Sequence, residues 1–208
     1  HCPNANFRDA YLLVNWIRLI KSKAEIEYMK QAGELVQLGM QKAYDTIRPG
    51  TRQSTVAGNI QHSLLSGTDK IGGEYSGLTI ILASGIYASA SHLTPKDKKF
   101  KEGEGTIIEL AGVKHRYHCP LSRTVYIGKP DQLTLETMNI TNEGMESALD
   151  KIKPGNTAHD VADSFWRVLA KHGLEKESRL GYATGIGYPP DWGEHTLSIR
   201  RNDMTVLQ

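Results

Sequence analysis

The sequence predicts an α+β domain built by internal duplication, with helices on one side of a mainly antiparallel sheet. Three observations carry this expectation: a repeat at a spacing of 105 positions, a helix pair in each copy, and strand-like runs after the first pair. The shift of 105 lays Gly39 on Gly144, Met40 on Met145, Ala43 on Ala148 and Asp45 on Asp150. It continues through Ile47/Ile152, Pro49/Pro154, Gly50/Gly155, Val56/Val161, Ala57/Ala162 and Leu64/Leu169.

Along the chain, Ser22 with Glu25 three residues later has the pattern of a capping box and predicts a helix start. Ile26, Met29, Gly33, Val36, Met40, Ala43 and Ile47 then mark one helical face. Pro49 and Pro154 cannot continue a helix, and the glycine after each suits a tight turn, so each copy reads as helix, stop, helix. Strand-like runs follow at Leu78 to Ala83, Gly105 to Ala111, Arg116 to Cys119 and Arg123 to Ile127, punctuated by Gly112 and Gly128. The Gly- and Pro-rich stretch Gly181 to Gly193 carries little regular-structure signal and reads as a functional loop.

Composition narrows the function classes. With 208 residues, 39% hydrophobic and 23% charged, the chain is expected to fold around its own core. A formal net charge of +2 with interleaved signs gives no face suited to nucleic acid, and the run Lys96 to Lys101 is closed by Glu102 and Glu104. The apolar run Leu78 to Ala83 is far short of the ~20 residues of a membrane helix. Cys2 and Cys119 are the only cysteines, which fits a reducing, cytoplasmic setting. The chain opens His1-Cys2-Pro3 without an initiator Met and stops at Leu207-Gln208 in an approach to another strand, so it reads as a fragment.

The strand Gly105 to Ala111 alternates Ile107, Glu109 and Ala111 on one face with Thr106, Ile108 and Leu110 on the other. Apolar on both faces, it predicts a buried strand in which Glu109 is the polar outlier. A buried carboxylate needs a cation or hydrogen bonds; Glu109 is either a structural partner of an arginine such as Arg123 or a site residue. His92 follows Ala83-Ser84-Gly85 and a small-residue run, where it can act as a proton shuttle or be merely solvated. His118 lies on the face opposite Tyr117 and Cys119, and His115 and His118 point apart, so Glu109, His115 and His118 do not make a metal site.

Together, Ala83-Ser84-Gly85 running to His92, the strand at Glu109, Leu121-Ser122-Arg123-Thr124 and Gly185-Ile186-Gly187 resemble the pita-bread family of creatinase, prolidase, aminopeptidase P and methionine aminopeptidase. The resemblance covers the chain from about Lys21 onward and implies a pseudo-twofold fold. It also implies a domain over residues 21–208, cut short at its C-terminus, with residues 1–20 as the linker from a missing N-terminal domain, and a homodimer. Metallopeptidases of this family hold two metals with two Asp, one His and two Glu. Here Glu109 stands at the first Asp, Pro120 at the second and Thr184 at the His, and the Glu positions fall beyond Gln208.

The strings Tyr117 to Thr124 and Tyr188-Pro189-Pro190-Asp191-Trp192-Gly193-Glu194 are similar to the ectoine hydrolase branch of the family. That implies a hydrolase needing neither metal nor other cofactor, acting on ectoine or a similar cyclic amidine and opening its ring to N-acetyl-diaminobutyrate. His92 and Glu109 are the implied catalytic pair: Glu109 pairs with the amidinium or attacks its carbon, and His92 transfers protons. Glu194, Arg123, His118, Tyr188 and Trp192 are the implied substrate-binding residues. Two rivals stay open, an Xaa-Pro metallopeptidase and a non-catalytic binding module.

Overall fold

Ser22 starts the long helix as its sequence requires: its hydroxyl accepts from Glu25 N while Glu25 Oε2 accepts from Ser22 N at 2.7 Å. In this computed structural model, which describes residues 2–208, that helix is α2 (Lys23–Thr46), preceded by a short α1 (Leu13–Leu19) and followed by α3 (Gln53–Ser66). Next come β1 (Ile81–Ser84), a 3-10 turn over Gly85–Ser89, and the hairpin of β2 (Gly105–Lys114) and β3 (Tyr117–Tyr126). The second copy supplies α4 (Gln132–Leu149), α5 (Ala158–Lys171), β4 (Gly181–Tyr188) and β5 (Asp191–Ile199).

The five strands form one antiparallel sheet in chain order. The two halves meet between β3 and β4 at Tyr117↔Ile186, reinforced by Gly187 N donating to Arg116 O at 3.0 Å. Val36, Met40, Ile60 and Leu64 of α2 and α3 bury against Ile108 and Leu110 of β2. Gly112 lets α2 ride directly on β2, since a Cβ there would meet Ala32 O at 2.0 Å.

The repeat is reproduced in packing. A Cβ on Gly39 would lie 2.6 Å from Leu64 Cδ2, and one on Gly144 would lie 2.9 Å from Phe165 and 3.2 Å from Leu169. Leu64 and Leu169 are themselves one repeat apart, so each copy closes its helix pair with the same glycine-to-leucine contact. Gly50 and Gly155 both take positive φ after the proline stop. The bridges Arg52↔Lys99 and Thr157↔Val206 then tie the start of the second helix of each pair to a later segment in the same way.

Three sequence expectations are corrected. Gly181 to Gly193 is not irregular: it forms most of the β4–β5 hairpin. The runs read as Arg116 to Cys119 and Arg123 to Ile127 are one strand, β3, continuous through Pro120. Beyond Tyr117 that strand is registered with β2 alone, and a proline is tolerated where one edge carries no ladder. Finally, β2 is only partly covered on its second face: Thr106, Ile108 and Leu110 are buried, whereas on the other face Ala111 and Val113 are buried but Ile107 and Glu109 are only half-buried. No helix among the described residues is long and apolar enough to cross a membrane.

Candidate active site

Glu109 lies on the face of β2 away from the helices, beside its partner Ser122 on β3 and opposite Ile81 on β1. The chain leaves β1 through the 3-10 turn and returns so that Leu82 N donates to Leu93 O at 3.0 Å. That return carries His92 to the level of Glu109. His92 is exposed and sits in the left-handed region at φ 59, a conformation enriched for His at functional turns.

The root of the turn is a hydrogen-bonded cluster. Ser84 Oγ donates to Glu104 Oε2 at 2.8 Å, Thr106 Oγ1 donates to Ser84 Oγ at 3.1 Å, and Lys98 Nζ donates to Ser84 O at 3.0 Å. Gly85, at φ 64, leaves room for Glu104, whose Oε1 would lie 2.6 Å from a Cβ. Burial opposes the Glu104 charge, but the Ser84 hydroxyl and Lys98 more than offset it and hold the carboxyl below its ordinary value.

Glu109 has the opposite surroundings. Among the described residues no hydrogen bond or ion pair satisfies its carboxylate, and burial pushes its pKa up, with the nearby His92 charge opposing that rise. His92 and Glu109, the implied catalytic pair, are therefore brought together.

The implied substrate-binding residues are not. Glu194 is buried and already neutralised: Lys21 Nζ lies 2.6 Å from Oε2 and Arg18 Nη2 3.3 Å from Oε1. Gly185 makes space for it, since a Cβ there would meet Glu194 Oε1 at 2.2 Å. Arg18 and Asn15, which donates to Glu194 O at 2.9 Å, belong to the segment read as a linker. Arg123 pairs with Ile108, so it projects from the helix side of the sheet, and it donates to Ser122 O rather than to Glu109.

His118 does share Glu109's face, but it is fully buried and both ring nitrogens serve the backbone. Nε2 accepts from Gly77 N at 2.8 Å and Nδ1 bonds Arg116 O at 2.8 Å, so the ring is neutral, and burial keeps its pKa low. Trp192 is also buried; its Nε1 donates to Tyr182 Oη at 2.7 Å, leaving the indole as packing rather than a cation platform. Tyr188 is exposed at the hairpin tip, where its ring faces the Arg116 guanidinium at 4.7 Å. It is about seven residues along the sheet from Glu109, roughly 23 Å at the usual strand rise.

Two groups of functional interest carried no sequence signal. Burial raises the pKa of the Tyr182 phenol, and the charges of Glu109 and Asp191 add to the rise. Lys21 and Arg18 meet Glu194 across more than 170 positions, for which local pattern offers no cue.

A duplicated α+β domain with a carboxylate and a histidine converging on the open face of its sheet defines the class: a pita-bread enzyme fold. The profile of metallopeptidase family M24 matches residues 27–208, and the chain belongs to that family. It is 42% identical to the ectoine hydrolase of Halomonas elongata over 99% of this chain and 53% of that protein. It is equally 42% identical to an uncharacterized hydrolase/peptidase, y4tM, of Sinorhizobium fredii, over 99% of this chain and 53% of that one. The prolidase from Pyrococcus furiosus superposes with a TM-score of 0.84 at 26% identity, over 94% of this chain and 56% of its own. The chain thus spans about half the length of the curated relatives it matches.

The residues present do not fit the metal centre that the family name implies. Glu109 has an oxygen to offer, but Pro120 has no ligand atom and Thr184 offers only a neutral hydroxyl. Among the described residues no three His, Cys, Asp or Glu side chains gather as ligands.

Proposed function

We propose that the protein is a hydrolase that opens the ring of ectoine, a cyclic amidine, to N-acetyl-diaminobutyrate without a metal ion. The observation that carries this reading is Glu109: a half-buried carboxylate near His92, with no ion-pair partner among the described residues. The similarity to the Halomonas elongata ectoine hydrolase supports the same substrate.

An amidinium carbon already bears positive charge, so a carboxylate can stabilise it where a peptide carbonyl profits from a Lewis acid. Glu109 holds the amidinium. Water adds to the carbon between the two nitrogens, and His92 takes one of its protons. His92 returns that proton to the leaving ring nitrogen as its carbon–nitrogen bond breaks, and the hydroxyl proton of the adduct passes to the released amine, giving an amide and an ammonium group. Desolvation around Glu109 strengthens its attraction for the amidinium.

The test is incubation of the full-length protein with ectoine in excess chelator, followed by NMR. The expected result is stoichiometric ring opening at a rate the chelator leaves unchanged. Absence of product from folded protein, or activity that returns only with added manganese, zinc or cobalt, overturns the reading.

A further inference from the structure

The loop that carries His92 is held from the helix layer by one buried residue. Gln53, at the start of α3, is only 1% exposed, and both its backbone N–H and its side-chain carbonyl grip the return leg of that loop. Gln53 N donates to Lys98 O at 2.9 Å, and Gln53 Oε1 accepts from Lys96 N at 3.0 Å. Among the described residues Lys96 N is the first backbone amide after His92 to be hydrogen-bonded, and the proline just before it has no N–H to offer. On the other side of His92, the Tyr87 ring lies against the Lys96 and Lys98 ammonium groups, 4.8 and 5.2 Å from its centroid, which ties the outgoing turn to the return leg. Gln53 Nε2 is buried with no partner among the described residues, a cost that an apolar side chain would avoid.

The second copy shows that the fold does not require this glutamine. Ala158 stands 105 positions on, equally buried, and its N donates to Thr205 O at 3.0 Å as Gln53 N does to Lys98 O. The bridges Arg52↔Lys99 and Thr157↔Val206 match beside them. A helix pair is therefore closed there with no side-chain bond. What differs is the segment leading into the bridge. His92 lies seven residues before Lys99, whereas the residue seven before Val206 is Ile199, the end of β5, so the first copy alone carries an exposed loop at this place. We infer that Gln53 is a positioning residue for His92, an assignment that rests on the proposed hydrolysis with His92 as its proton carrier. The Gln53 carbonyl sets the return leg against β1, where Leu82 N meets Leu93 O at 3.0 Å, and so fixes the imidazole near Glu109 for proton exchange with the substrate.

The test follows ectoine turnover and backbone amide exchange in the full-length protein for wild type, Gln53→Met and Gln53→Glu. Methionine keeps the length of the side chain without its acceptor, and glutamate keeps the acceptor. Gln53→Met is expected to lower kcat about tenfold to a hundredfold, the scale of a displaced catalytic group, and to leave KM within about threefold because Glu109 is untouched. Gln53→Glu should recover kcat to within a few fold. In a His92→Ala background Gln53→Met should cost nothing further, since its effect passes through His92. A loss that persists in that background, or wild-type kcat in Gln53→Met, overturns the assignment. Gln53→Ala, with the residue that the second copy uses, takes the place of Gln53→Met if that variant does not fold. Exchange of the Leu82 amide reads the seating of the loop without any turnover: it should quicken about tenfold or more in Gln53→Met and not in Gln53→Glu. That pattern in a protein that does not open ectoine upholds the grip of Gln53 on the loop and removes only the hydrolysis reading; unchanged exchange overturns the assignment.

Discussion

Glu109 and Glu194 are the two carboxylates that the sequence nominated for one site, and the fold treats them oppositely. Glu194, in the second half, is buried between Lys21 and Arg18, with Gly185 shaped around it. Glu109, in the first half, is half-buried with His92 nearby and has no ion-pair partner among the described residues. A carboxylate with two resident cations is structural, because removing one member of a buried pair strands the rest. One that is desolvated without a partner sacrifices stability for a site that a cationic ligand completes.

The largest expected effect separates the two roles. Glu109→Gln should lower kcat for ectoine by about a thousandfold, within the range for removing a group that stabilises transition-state charge. It should leave the fold intact, as judged by thermal unfolding. Glu194→Ala should do the reverse, lowering stability by about 3 kcal/mol in denaturant titrations because Lys21 and Arg18 lose their shared partner. If Glu194→Ala instead spares stability and abolishes turnover, the distinction collapses.

Gly185→Ala sharpens the same contrast at smaller scale, at a cost of about 1–3 kcal/mol, since its Cβ would overlap Glu194 Oε1. The pH dependence follows from the sign of the Glu109 shift. Its folded pKa lies above the ordinary 4.5, so its stabilising contribution is complete below the unfolded value and is lost as pH rises through the folded value. Glu109→Gln should therefore unfold at a higher temperature than wild type at neutral pH and not at pH 3. In wild type, the acid limb of kcat/KM should fall above 4.5. The smallest effect is expected at Arg123→Ala: within about 0.5 kcal/mol in stability, with KM for ectoine unchanged, because this exposed side chain bonds only its neighbour's carbonyl.

What could be read in the sequence was what repeats or acts locally. The 105-residue shift exposed the duplication because Gly39 with Leu64 and Gly144 with Leu169 make the same contact, which constrains the same residue types twice. The Ser22–Glu25 box is complete within four positions and was legible for that reason. The β4–β5 hairpin was not: its glycines dilute the strand pattern, yet Gly185 and Gly187 are there because Glu194 and Trp192 approach too closely for a Cβ. The surroundings of the other nominated residues were hidden in the same way. His118, Trp192 and Glu194 were set apart by residue type, but their partners, Gly77, Tyr182, Lys21 and Arg18, lie in other elements or far along the chain. Glu109 stood out because a lone carboxylate in an apolar strand is conspicuous before any partner is known.

The most direct measurement is a carbon-13 NMR titration of the Glu109 side chain in the full-length protein, with and without a saturating non-hydrolysable amidinium ligand. A free-protein value above the ordinary 4.5, falling when the ligand binds, is the predicted result. A carboxyl that titrates in the ordinary range, or one that the ligand leaves unmoved, would contradict the account.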